Sequence, residues 1–188
     1  NPAALVSGET AVPVDAYDPA MTAPNQPLPV GAAVASAVRS RFDGIAPRHD
    51  RVNCFMTSRL GVAGRRRTGR RVDLPAGSLV LDLDCGPGDL CRDLDRAGMA
   101  PVGMDLSWGM LAAARTEAPL VHADALRLPV ADGSADGVTC GLALRNLTGL
   151  EPFFAELARA LRPGGRIAIL EVDRPRNRPL RLGHGAYF

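Results

Sequence analysis

The sequence predicts an α/β fold with a mostly parallel, doubly wound sheet. Two observations carry this. Apolar strand-like runs alternate with helical stretches from residue 79 to residue 172, and a glycine-rich turn follows the first of these runs and opens a helix. The expected strands are 79–83, 101–104, 120–122, 137–141 and 166–172. The expected helices are 90–97, 110–117 and 152–161, which supply the crossovers that parallel strands need. No internal repeat interrupts this order.

Upstream, the chain divides by composition. Residues 1–30 carry Pro2, Pro13, Pro19, Pro24, Pro27 and Pro29 among small residues and are expected to be a flexible tail. Residues 31–75 are expected to form a helical segment on the substrate side: Ala32, Val34, Val38 and Phe42 suit one short amphipathic helix, and 50–60 suits another. Arg65, Arg66, Arg67, Arg70 and Arg71 are read as a solvated helix face near a substrate mouth in preference to a phosphate site. Residues 76–188 form the expected core domain. A chain that opens on Asn1 and stops at Phe188 suggests a processed or truncated product.

Composition excludes several classes. In 188 residues, 46% are apolar, ordinary for a globular protein, and a net charge of +2 gives no field that argues for nucleic acid. All 22 basic residues are arginine, a usage typical of GC-rich bacterial genomes. Cys54, Cys85, Cys91 and Cys140 show neither a C-x-x-C pair nor metal-ligand spacing, so no metal is expected and a reducing cytoplasm fits. No apolar run approaches the ~20 residues of a membrane span, and no signal peptide opens the chain.

The chemistry is concentrated at VLDLDCGPGDL, residues 80–90, which contains Asp82, Asp84, Gly86, Pro87 and Gly88. Glycines there let the backbone approach a ligand, and the following helix N-terminus offers N–H groups to an anion. Asp105 ends the next strand, seventeen positions beyond Gly88, near the ~20-residue offset at which an acid meets a ribose. Asp124, followed by Ala125, ends the strand after that, where it could bond an adenine amino group or simply close a turn. A nucleoside cofactor follows. Asp84 and Cys85 break the G-x-G-x-x-G register of nicotinamide enzymes.

With FDGIAPRHDRVN at 42–53, GPGDL, MDLSWGML, LRNLT at 144–148 and LRPGGRIAILEV at 161–172, the chain resembles Rossmann-like class I S-adenosylmethionine methyltransferases, specifically the menaquinone and ubiquinone C-methyltransferases. Asp50 with Asn53, and Arg145 with Asn146 and Thr148, are the most family-specific pieces. The resemblance implies S-adenosylmethionine as cofactor. Pro87 and Asp105 would meet its methionine and ribose ends, Asp124 and Ala125 the adenine, and Gly141 the cofactor beside the substrate pocket. Arg145 and Asn146 would face an aromatic or quinol substrate, and His49, where the family usually has Tyr, could accept a proton. Independently, an arginine suits carbon methylation because a guanidinium stabilises the phenolate that must form. A lipid-soluble substrate would bring peripheral contact with a membrane.

The sequence also departs from the family. Asp84 replaces a small residue, which sets a carboxylate near the cofactor's own unless it turns toward the ammonium group. Gly61, Gly64 and Ala143 alter the substrate side. The family's last helix and antiparallel strand pair are expected to be missing, leaving a sheet edge that a homodimer would cover. These departures keep two alternatives open: a tailoring methyltransferase for polyketide-like aromatics, and a non-catalytic binding subunit.

Overall fold

The computed structural model describes residues 12–13, 64, 67–69 and 71–171. Its elements are β1 (Val12–Pro13), β2 (Leu79–Leu83), α1 (Asp89–Arg96), β3 (Ala100–Asp105), α2 (Trp108–Ala112), β4 (Leu120–His122), β5 (Ala135–Gly141), a 3-10 turn (Leu144–Asn146), α3 (Leu150–Ala160) and β6 (Leu161–Leu170). The sheet order is β1-β4-β3-β2-β5-β6. From β4 to β6 all pairings are parallel, with Leu81 opposite Val102 on one side and Val138 on the other. Val12–Pro13, in the segment expected as a tail, pairs antiparallel with β4.

Successive strands step outward from β2 through β3 to β4, and the chain then returns to β2's other flank as β5. This reversal creates a crevice beyond the carboxyl ends of β2 and β5, where open α/β sheets bind ligands. Strands β2 and β5 are buried along nearly their whole length, as a sheet covered on both faces requires. Leu81 and Leu83 point into the larger core with Val102, Met104, Val138, Phe153 and Leu157. Val80 points the other way, into a cluster with Val72, Leu90, Leu94 and Met99. By the same alternation Asp82 faces α1, which decides its partners below.

Several element boundaries differ from expectation. Helix α2 ends at Ala112 instead of 117, because the following residues leave the helix to cover the turn before α1: Arg115 N–H donates to Pro87 O at 3.0 Å, and Arg92 Nη1 reaches Arg115 O at 2.8 Å. Helix α3 starts two residues earlier than expected and ends one earlier, and β6 begins at Leu161, ahead of the expected 166. The loop after Asp124 is held by α3. Arg159 donates to the carbonyls of Leu128 and Val130, and Glu156 accepts Leu128 N–H at 2.6 Å.

Candidate cofactor site

The turn between β2 and α1 is made by positive φ at Asp84 (50°), Gly86 (54°) and Gly88 (78°). The two glycines serve different purposes. A Cβ on Gly86 would meet nothing within 4 Å, so this backbone faces open space that a ligand can enter. A Cβ on Gly88 would lie 2.6 Å from Thr116 Cγ2, so its bareness seats the chain after α2. Gly86→Ala is therefore expected to leave the melting temperature within a few degrees of the parent, about 1 kcal/mol for the left-handed backbone. Gly88→Ala should cost more, by about 1–3 kcal/mol of added overpacking, read by urea denaturation.

Asp105 ties the turn to the neighbouring strand. Its Oδ2 accepts Gly86 N–H at 2.8 Å and its Oδ1 accepts Ser107 N–H at 2.7 Å, while Ser107 Oγ caps α2 by accepting Met110 N–H at 3.2 Å. The carboxylate at the expected ribose position thus also fixes the backbone that the cofactor would approach. Pro87, buried beside it, carries the carbonyl that accepts Arg115 N–H.

Asp82 is 1% exposed, and each of its oxygens has a protein donor: Thr139 Oγ1 at 2.8 Å and Cys91 Sγ at 3.3 Å. Expected among the cofactor contacts, it instead links β2, β5 and α1 beneath the turn. Burial pushes its carboxyl up to about 7, against the lowering effect of those hydrogen bonds.

Asp84 is half-buried at the mouth. Desolvation, then the charges of Asp105, Asp124 and Asp82, raise its pKa to about 8, and no hydrogen bond among the described residues offsets this. At neutral pH its carboxyl is mostly protonated, which removes most of the like-charge conflict with a ligand carboxylate that the sequence suggested.

On the far side, Asp124 Oδ1 accepts Leu126 N–H at 2.8 Å, so one oxygen closes the turn that the plainer sequence reading anticipated; Ala125 is buried behind it. The ring of Trp108 stacks on His122 with centroids 4.3 Å apart, and His122 Nε2 lies 2.9 Å from Leu106 O. Gly141 ends β5, and Leu142 after it holds a left-handed φ of 64° while its N–H donates to Leu170 O at 2.7 Å. Such backbone in a leucine is strained and concentrates at functional mouths. Arg145 and Asn146 follow in the 3-10 turn. His49, Asp50, Asn53, Gly61 and the five-arginine cluster, Arg67 and Arg71 excepted, lie outside the described residues. No group of three His, Cys, Asp or Glu among the described residues could hold a metal, and no helix there is long and apolar enough to cross a membrane.

A demethylmenaquinone methyltransferase of Roseiflexus castenholzii is 38% identical to the chain over 169 residues, covering 86% of it and 71% of the relative. The chain belongs to the demethylmenaquinone methyltransferase family of class I methyltransferases. A demethylmenaquinone methyltransferase of Corynebacterium urealyticum is also 38% identical, over 73% of the chain and 60% of its own length, so the chain spans about three fifths of that relative. The methyltransferase domain model of this wider family matches residues 81–169, from β2 through β6. Phosphoethanolamine N-methyltransferase 1 of Haemonchus contortus superposes with a TM-score of 0.63 at 18% identity, over 76% of the chain and 33% of its own, a likeness of fold.

The family's cofactor is S-adenosylmethionine, and the open backbone at Gly86 beside the Asp105 carboxylate suits it: a cradle that a Cβ would fill, and an acceptor for hydroxyls. Sequence reasoning missed Thr139 and Cys91 as the partners of Asp82 and Thr116 as the reason for Gly88. The first pair comes from another strand and from the next helix, and nothing in the local pattern announces either.

Proposed function

We propose that the chain carries the donor half of an S-adenosylmethionine-dependent methyltransferase acting on the ring carbon of a prenylated quinol such as demethylmenaquinol. The observation that carries this is the Gly86 backbone, open to a ligand and held by Asp105 at the strand-order reversal. Asp105 would accept from the ribose hydroxyls, the turn and the start of α1 would receive the methionine end, and Asp124 with Ala125 would border the adenine. The sulfonium of the bound cofactor supplies an already activated methyl group. The residues therefore have to align the acceptor, exclude water and stabilise its phenolate. Arg145 and Asn146, just beyond the β5 end, are assigned to that phenolate, with His49 as the proton acceptor. A homodimer in the cytoplasm, touching the membrane through its lipid-soluble substrate, completes the reading.

The test is transfer of labelled methyl from S-adenosylmethionine to a short-chain demethylmenaquinol, with Arg145→Ala alongside. The expected result is product formation by the parent and a kcat lower by about two to three orders of magnitude in the variant, with cofactor affinity unchanged. Cofactor binding without quinol methylation would move the acceptor to another aromatic. Failure of a folded sample to bind either S-adenosylmethionine or S-adenosylhomocysteine would make the chain a non-catalytic subunit.

A further inference from the structure

The sequence scatters its cysteines, but the fold brings two of them together under the cofactor turn. Cys85 ends the β2 side of the turn and Cys91 sits in the first half of α1, so the residues between them are the turn Gly86 to Gly88 and the first two residues of the helix, Asp89 and Leu90. Gly103, in the middle of β3, makes the room: a Cβ there would lie 2.9 Å from Cys85 Sγ and 3.1 Å from Cys91 Sγ. A glycine inside a strand weakens it and marks a close approach, and here the approaching groups are these two sulfurs with Leu120. Cys85 Sγ donates to Gly86 O at 3.7 Å and Cys91 Sγ to Asp82 Oδ2 at 3.3 Å, and neither cysteine is in a disulfide. Cys85 is 7% exposed and Cys91 is sealed, surrounded by Leu111, Trp108, Ala118 and Leu120.

We propose that Cys85 and Cys91 are an oxidation site, a thiol pair that a peroxide converts to a disulfide closing a ring around the cofactor turn. The more accessible Cys85 sulfur attacks one peroxide oxygen; the O–O bond breaks, one water leaves and a sulfenic acid forms. The Cys91 sulfur then attacks the Cys85 sulfur, the S–O bond breaks, and a second water carries away the Cys91 proton. Two thiols are oxidised and one peroxide is reduced to two waters. Burial and the nearby Asp82 keep both thiols protonated, so the first step is slow at neutral pH and accelerates as pH rises. The disulfide removes the S–H that Cys91 donates to Asp82, and it pulls on the backbone immediately before Gly86. The consequence for cofactor binding rests on the function proposed above; the oxidation itself does not.

The experiment treats the full chain with hydrogen peroxide and digests it with trypsin, which releases residues 72–92 as one peptide holding both cysteines and no other. The expected result is an intrapeptide disulfide reversed by dithiothreitol. In Cys91→Ala the same peptide should instead trap a dimedone adduct on Cys85. Titration of the oxidised parent with S-adenosylmethionine should show affinity lower by at least about tenfold, restored on reduction. A peptide that keeps both thiols alkylatable while Cys54 and Cys140 oxidise would overturn the site. A mapped disulfide with unchanged affinity would overturn its effect on the turn. If Cys91→Ala does not fold, Cys85→Ala serves, in which the sealed Cys91 should resist the peroxide.

Discussion

Asp105→Ala is expected to abolish measurable cofactor binding and to loosen the fold at the same time. The carboxylate accepts two backbone N–H groups, from Gly86 and Ser107, at 2.8 and 2.7 Å, and it is 8% exposed. Removing it leaves both donors short of a charged acceptor, each worth about 1.5–3 kcal/mol, so a loss of about 2–4 kcal/mol in urea denaturation is expected after water partly replaces it. Loss of the ribose acceptor and release of the Gly86 backbone together predict affinity weaker by at least about a hundredfold in calorimetric titration. Asp105→Asn keeps one acceptor oxygen and should fall between the two in both readouts. Cofactor affinity unchanged in Asp105→Ala, in a sample shown to be folded, would remove this residue from the site and with it the main support for the proposed function.

Asp84→Gly is expected to change how stability depends on pH. Asp84 is raised from 3.8 to about 8 by burial and by the charges of Asp105, Asp124 and Asp82. Above about pH 4 the unfolded chain has released this proton while the folded chain still holds it, so the folded state binds more protons and stability falls as pH rises. The fall continues until the folded group itself ionises near pH 8, at a slope of at most about 1.4 kcal/mol per pH unit. Without the carboxyl that slope is lost, leaving the one from Asp82, of similar steepness but with a window that closes at about 7. The variant's advantage over the parent should therefore grow between about pH 5 and pH 8 and then level off. Relief of the left-handed backbone at Asp84 adds about 1 kcal/mol at every pH and so cannot imitate the slope. Parallel stability curves would show that Asp84 is not perturbed. Cofactor affinity measured on the same variant fixes the direction in which the carboxyl acts: a loss places it against the cofactor's ammonium group, a gain against its carboxylate.

The central sheet was legible because its signals are local. Val80, Leu81 and Leu83 run straight into a glycine turn, and an acidic residue ends each of the next two strand segments, at Asp105 and just beyond β4 at Asp124, so strand, turn and acid can be read within about twenty residues of one another. What was not legible depends on contacts between distant elements. Asp82 belongs to the same motif as Asp84, yet it is sealed by Thr139, 57 residues away, and by Cys91, which no periodicity distinguishes from an ordinary small core residue. Residues 113–117 have helix-forming composition, but packing Thr116 onto Gly88 and bonding Arg115 to Pro87 outweighs the last turn of α2. The early boundary of β6 has a similar origin, since Leu161 already pairs with Ala135 before the register shift that precedes Gly137. The family resemblance, carried by the segment at 42–53 as well as by residues from β2 to β6, was borne out by the relatives the chain matches.

The stack of Trp108 on His122 has a spectroscopic consequence. Trp108 is the single tryptophan of the chain, one residue beyond the Ser107 whose N–H holds Asp105, so every photon of indole emission comes from beside that carboxylate. The imidazole stacked 4.3 Å from the indole centroid sits within contact range of the emitting ring, so the emission depends on that contact. The protein thus contains its own optical gauge: a ligand that reshapes the Asp105 loop shifts this ring contact and changes the brightness without any attached dye.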